Sequence, residues 1–173
     1  RFGGASFTPD GKQIVFTGNT DNAQHPDRAL ESQVFMVNTD GTGMKQLLGA
    51  AGKSYTSPSV SPSGKWLAVQ VGTVSFVNVP ELAIMPLNGT TADLVMLPFD
   101  RNKGGLTWSK DEQHIYFTAQ SNGGAPIYRI NVKTKKSEQL TSVDEGISSF
   151  SMKTDKLVYV KTAVANPFEL YTT

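Results

Sequence analysis

One pattern that returns four times limits what this chain can fold into more than any other feature. Its first copy is Ser6-Phe7-Thr8-Pro9-Asp10-Gly11-Lys12-Gln13-Ile14-Val15-Phe16. The second runs Ser59-Val60-Ser61-Pro62-Ser63-Gly64-Lys65-Trp66-Leu67-Ala68-Val69. The third runs from Thr107-Trp108-Ser109-Lys110-Asp111-Glu112-Gln113-His114 to Ile115-Tyr116-Phe117. The last, Ser149 to Tyr159, is degraded and one residue shorter. The matched apolar positions Ile14, Leu67, Ile115 and Leu157 lie 53, 48 and 42 residues apart. Internal repeats of this period signal arrays of small structural units.

A second unit follows each first one: Gln33 to Gly41, Glu81 to Gly89, Pro126 to Thr134, and Glu169 to Thr173. Each of the three complete copies leads to a short apolar segment ending near Leu47, Leu97 or Leu140. The turn residues have physical roles. Pro fits the first central position of a turn, and Gly takes the positive φ the turn requires. Runs such as Gln-Ile-Val-Phe and His-Ile-Tyr-Phe are β-branched and aromatic, as strands demand. Each period therefore reads as four short antiparallel strands, and such repeats are the blades of a β-propeller. The fold class is all-β: a partial propeller of about three and a half blades within one domain, residues 1–173. Approximate blade limits are 1–52, 53–99, 100–142 and an incomplete 143–173. The best short-helix candidate is Asn22 to Ser32, which lacks an apolar stripe. Open blade edges at the two ends predict self-association.

Composition narrows the function. A net charge of +1 gives no general pull on nucleic acid or an anionic membrane. Hydrophobic residues at 38% and charged residues at 18% are those of a globular chain. No apolar run is long enough to span a bilayer as a helix. Cysteine is absent, which removes thiol nucleophiles, disulfides and cysteine metal sites.

The search for chemistry yields no catalytic residue, no cofactor-binding residue and no metal site, and no cofactor is expected. Gly4-Ala5-Ser6 carries only the first half of a nucleophile elbow, and Ser6 reads as a strand residue. Gly52-Lys53-Ser54 lacks the upstream glycine of a phosphate-binding loop, because position 47 is Leu. It reads as a surface turn. Asp21, His25 and Asp27 loosely resemble metal ligands, but a polar loop explains them better. His114 falls in a strand, so a Ser-His-Asp triad within the chain is not expected. Asp100-Arg101-Asn102-Lys103 reads as a solvated loop, and Asn88-Gly89-Thr90 as a turn rather than a glycan acceptor. Trp66, Trp108, Phe117, Tyr128 and Phe150 are read as core packing.

The turns Thr-Pro-Asp-Gly-Lys and Ser-Pro-Ser-Gly-Lys resemble the bacterial propeller repeat of the TolB type. Phe99-Asp100-Arg101-Asn102-Lys103-Gly104-Gly105-Leu106-Thr107-Trp108-Ser109-Lys110-Asp111 and Asn166-Pro167-Phe168-Glu169-Leu170-Tyr171 narrow the likeness. Both resemble the N-terminal propeller of the prolyl oligopeptidase family of serine peptidases, in its dipeptidyl-peptidase and acylaminoacyl-peptidase-like branch. That resemblance implies a seven- or eight-bladed propeller joined to a C-terminal α/β-hydrolase domain that carries the catalytic triad. It implies a gate that admits small peptides, and an extracytoplasmic, periplasmic setting, with a cytoplasmic one as the other option. Relatives' acidic residues for the substrate amino terminus have no match here, because Glu31, Glu81 and Glu145 lack that context. Two other readings stay open: a TolB-like periplasmic binding scaffold without activity, and a glycan-acting propeller enzyme. The last would want clustered carboxylates on the strands.

Overall fold

The computed structural model describes all residues except 1, 21–29, 76, 144–145, 154–155, 164–165 and 173. Most of the Asn22–Ser32 helix candidate therefore lies outside the described residues. The chain divides into two compact units, Arg1–Asp100 and Arg101–Thr173, each built from two antiparallel sheets. In the first unit, β1 (Phe2–Phe7), β2 (Gln13–Gly18), β3 (Gln33–Asn38) and β4 (Lys45–Leu48) form one sheet in chain order. The sheet after it contains β5 (Lys53–Val60), β6 (Trp66–Thr73), β7 (Glu81–Pro86) and β8 (Val95–Leu97). In the second unit, β9 (Lys103–Trp108), β10 (His114–Ala119), β11 (Ile127–Asn131) and β12 (Ser137–Gln139) form the third sheet. The fourth holds β13 (Gly146–Lys153), β14 (Lys156–Ala163) and β15 (Asn166–Thr172). Such meandering four-stranded sheets, repeated along the chain, are the blades of a β-propeller. The one helical element among the described residues is a 3-10 turn at Thr91–Asp93.

The repeated motif closes as a hydrogen-bonded clip. In the first copy the Thr8 hydroxyl donates to Asp10 Oδ1 at 2.7 Å and accepts the Gln13 N–H at 3.0 Å. Asp10 Oδ1 also accepts the Lys12 N–H at 3.1 Å. The third copy repeats this wiring: Ser109 Oγ donates to Asp111 Oδ1 at 2.6 Å, and the His114 N–H reaches Ser109 Oγ at 2.9 Å. In the second copy Ser63 replaces the carboxylate and accepts the Lys65 N–H at 3.2 Å. Gly11 and Gly64 take positive φ values of 69° and 73°, and Glu112 takes 59° at the same point of the third copy. The last hairpin differs, because only two residues lie between the paired Lys153 and Lys156.

The clip then anchors the next hairpin. Thr39, Leu87 and Val132 each donate a backbone N–H to the carbonyl of the clip residue Lys12, Lys65 or Gln113, at 2.8–3.0 Å. Register fixed in this way puts Phe16 opposite Phe35 and Phe117 opposite Tyr128; in the fourth sheet Tyr159 stands opposite Tyr171. These three pairs stack with ring centroids 5.7, 6.1 and 5.7 Å apart. Such cross-strand pairs stabilise a sheet locally.

A feature absent from the sequence reading is a β-bulge in the first strand of every sheet. Gly4, Ser57 and Gly105 sit at or beside it with positive φ of 47°, 54° and 68°. A polar side chain at one fixed position of the second strand donates to the bulged strand. Thr17 Oγ1 donates to Gly3 O, Gln70 Nε2 to Ser57 Oγ at 3.2 Å, and Thr118 Oγ1 to Gly104 O at 3.3 Å. The bulges also mark where neighbouring sheets converge within each unit. A Cβ on Gly4 would stand 3.3 Å from Pro58 Cδ, and one on Gly105 would stand 3.2 Å from Phe150 Cε1. The Val60 N–H donates to Ser6 Oγ at 3.1 Å across the first pair of sheets.

Apolar faces fill the space between sheets. In the first unit Val15, Val34, Met36, Leu48, Tyr55 and Leu67 belong to one core. In the second, Tyr116, Ile127, Ile147 and Leu157 pack with Phe150, Met152 and Tyr159. Trp108, Phe117 and Tyr128 are buried as expected, but Trp66 is 37% exposed. It is the first residue of β6, opposite Pro86 at the end of the strand.

Ser109→Ala removes the hydroxyl that caps the His114 amide, and should destabilise the chain by about 1–3 kcal/mol in urea unfolding. Hydrogen bonds from the clip hydroxyls, then backbone amides, hold the Asp10 and Asp111 carboxyls below 3.8. With a folded pKa depressed below the unfolded one, this contribution is complete above about pH 3.8. It should be lost as pH falls through the folded values, and Asp10→Asn together with Asp111→Asn should flatten that acid limb.

Candidate functional site

The two ends of each sheet differ in kind. One end carries the clips and the tight second turns. The other carries the connections between second and third strands: residues 19–32, 74–80 and 120–126. Long, irregular connections on a rigid frame are where binding residues usually sit. In the first unit, this loop end holds a cleft of about 350 Å³ between the start of β5 and the end of β6. Leu30, Ser54, Thr56, Val74 and Pro80 line it, and Asn78 braces the loop by donating to Thr73 O at 3.0 Å. Leu30, Val74, Val77 and Val79 expose apolar surface around it. In the second unit, a cleft of about 410 Å³ at the loop end is lined by Gln120–Ala125 and Gly146. Its tip is a tight turn: Asn122 and Gly123 take positive φ, and Ser121 and Gly124 exchange backbone hydrogen bonds of 2.9 Å. That is the hairpin geometry Asn-Gly favours.

The segment read as a solvated loop is tied into the third sheet instead. Arg101 Nη1 donates to Tyr128 Oη at 2.9 Å, and its guanidinium lies 5.9 Å from that ring's centroid. Tyr128 Oη donates onward to Gln139 Oε1 at 3.0 Å. Lys103 is buried, and its ammonium donates to Arg101 O at 2.6 Å.

A third cleft, of about 560 Å³, lies at the clip end of the second unit beside Ser109, Asp111, His114, Tyr116 and Arg129. It brings a serine, a histidine and an aspartate together, but not as a nucleophilic relay. Ser109 gives its proton to Asp111, and what it accepts is the backbone amide of His114. The His114 ring faces Asn131 Nδ2 at 3.3 Å. A relay needs the imidazole to face the hydroxyl and the carboxylate to face the imidazole. Arg129 is occupied by Glu138, through Nη2 at 2.7 Å and Nε at 2.9 Å, which raises its pKa.

Of the other residues weighed in the sequence, Ser6 lies in β1 and spans two sheets, and Lys53 begins β5 after the turn at Gly52. Asn88 and Gly89 form a turn closed by the Gly89 N–H to Pro86 O at 2.8 Å. Asp21, His25 and Asp27 lie outside the described residues. Among the described residues, no group of three or more His, Asp or Glu side chains is placed to hold a metal ion.

The repeated four-stranded sheets define the class: a β-propeller segment. Its particular likeness is to dipeptidyl-peptidase 5 of Porphyromonas gingivalis, with 25% identity over 170 residues, covering 96% of this chain and 25% of that protein. The dipeptidyl-peptidase 5 of Porphyromonas endodontalis is 30% identical over 122 residues, covering 69% of this chain and 16% of that protein. The chain thus spans about a quarter or less of the curated relatives it matches. Among solved structures, puromycin hydrolase aligns with a TM-score of 0.73 at 14% identity, over 99% of this chain and 27% of its own. TolB from Acinetobacter baumannii aligns at 0.71 and 17% identity, over 99% of this chain and 40% of its own. No family profile matches the chain. The resemblance to the propeller of prolyl oligopeptidase-type peptidases therefore holds, and the structural likeness establishes the propeller fold.

Tyr128→Phe removes both the acceptor for Arg101 and the donor to Gln139. It should lower stability by about 1–2 kcal/mol, read from the urea midpoint at unchanged slope.

Proposed function

We propose that this chain is the non-catalytic propeller portion of a serine peptidase, and that it gates and selects small peptides for a separate α/β-hydrolase domain. The observation that carries this reading is the similarity to dipeptidyl-peptidase 5 along 96% of the chain. Two features of the chain fit it. Its Ser-Asp-His grouping is spent on a turn, so peptide hydrolysis needs a nucleophile from elsewhere. Its connections between second and third strands lie at one end of the blades, beside clefts of about 350 and 410 Å³. The chemistry of the parent would be acyl transfer through an activated serine, with base and oxyanion donors in the hydrolase domain. The part played by this chain is steric filtering and orientation of the peptide. An extracytoplasmic setting accompanies this reading. Among the described residues no helix is long and apolar enough to cross a membrane.

A fluorophosphonate probe tests the proposal. The full-length parent should be labelled at one serine and this chain should not. A folded parent that takes no label would overturn the peptidase reading in favour of a TolB-like binding scaffold.

A further inference from the structure

We propose that Asn122 is a modification site: it deamidates through a cyclic imide formed with Gly123, while Asn88, also followed by glycine, is protected by its turn. The sequence holds two Asn-Gly dipeptides, Asn88-Gly89 and Asn122-Gly123. Glycine has no side chain to shield its amide nitrogen from the asparagine before it, so both are chemically competent and the fold must tell them apart. After β7 the Gly89 N–H is spent on Pro86 O at 2.8 Å. A Cβ on Gly89 would stand 3.0 Å from that carbonyl and 3.1 Å from Asp93 Oδ2. The Asp93 carboxylate accepts the Thr90 N–H at 2.8 Å and the Thr90 hydroxyl at 3.0 Å, which fixes it there. Negative charge beside Gly89 opposes loss of its amide proton.

The turn at Asn122 lacks these guards. Ser121 and Gly124 exchange their backbone hydrogen bonds across it at 2.9 Å, which leaves the Gly123 N–H outside the pairing. A Cβ on Gly123 would meet nothing within 4 Å, and both Asn122 and Gly123 are exposed. Asn122 holds a φ of 49°, so rotating out of it toward the attack geometry gives up the turn's two hydrogen bonds but little packing. The Gly123 nitrogen, deprotonated by hydroxide, attacks Asn122 Cγ. The new N–Cγ bond forms as the Cγ–Nδ2 bond breaks, and the departing nitrogen takes a proton and leaves as ammonia. Water then opens the imide. Breaking its bond at Cγ gives aspartate; breaking its bond at the main-chain carbonyl carbon gives isoaspartate, with an added methylene in the backbone. Either product puts a carboxylate into the lining of the cleft of about 410 Å³ at the loop end of the second unit, whose described lining residues, Gln120–Ala125 and Gly146, carry no charge.

The test incubates the folded chain in mildly alkaline buffer and follows both asparagines by peptide mapping with mass spectrometry, which separates aspartate from isoaspartate by elution and fragment ions. A parallel sample is held unfolded in urea. In the folded chain Asn122 should convert about fivefold or more faster than Asn88, the factor that one protecting hydrogen bond supplies. The rate at Asn122 should rise with pH, because the attacking nitrogen is the deprotonated one. In urea the two rates should converge, since the turns that separate them are gone. No conversion at Asn122 in the folded chain, or conversion of Asn88 at an equal or greater rate, overturns the inference. So does a preference for Asn122 that persists undiminished in urea, because it then comes from neighbouring sequence and not from the turns.

Discussion

The hydroxyl of Thr8, Ser61 or Ser109 is the contact on which the blades depend. A strand alternates its side chains between two faces, so a slip of one residue would turn every core residue of a hairpin toward water. The clip removes that freedom by capping the first amide of the second strand, at Gln13, Trp66 and His114. The next turn is then tied to the clip's own carbonyl, so one register passes through three strands. The stacked pairs Phe16–Phe35 and Phe117–Tyr128 follow from it.

Convergence of sheets imposes the opposite demand. Where two first strands approach within each unit, a regular ladder gives way to a bulge with positive φ. Gly4 and Gly105 accept this conformation readily, and their missing Cβ leaves room for Pro58 and Phe150. Ser57 takes it with its hydroxyl accepting from Gln70. Gln70 and Thr17 are polar residues buried in their strands, and each donates to the bulged strand beside it.

The repeat, its phase and its turn chemistry were legible in the sequence, because each is local. The bulges were not, since Ser57-Pro58 gives no sign that its neighbour strand curves toward it. Lys103 was misread because a backbone carbonyl accepts from its ammonium, a contact that no composition displays. The Trp66 error was avoidable. In the repeat alignment it falls with Gln13, His114 and Lys156, all polar, and that column opens the second strand, where side chains are half-buried or exposed. Polarity within a repeat column carried more information than the hydrophobicity of one member.

The same division explains why the candidate site was the less legible part. The clip end is specified by short-range hydrogen bonds, so its serine, aspartate and histidine are consumed in holding shape. The loop end is free of that duty, and its connections differ in length and composition from sheet to sheet. Selection of a ligand can therefore vary there without disturbing register. A frame of this kind lets the contacts made at the loop end change while the strands keep their register.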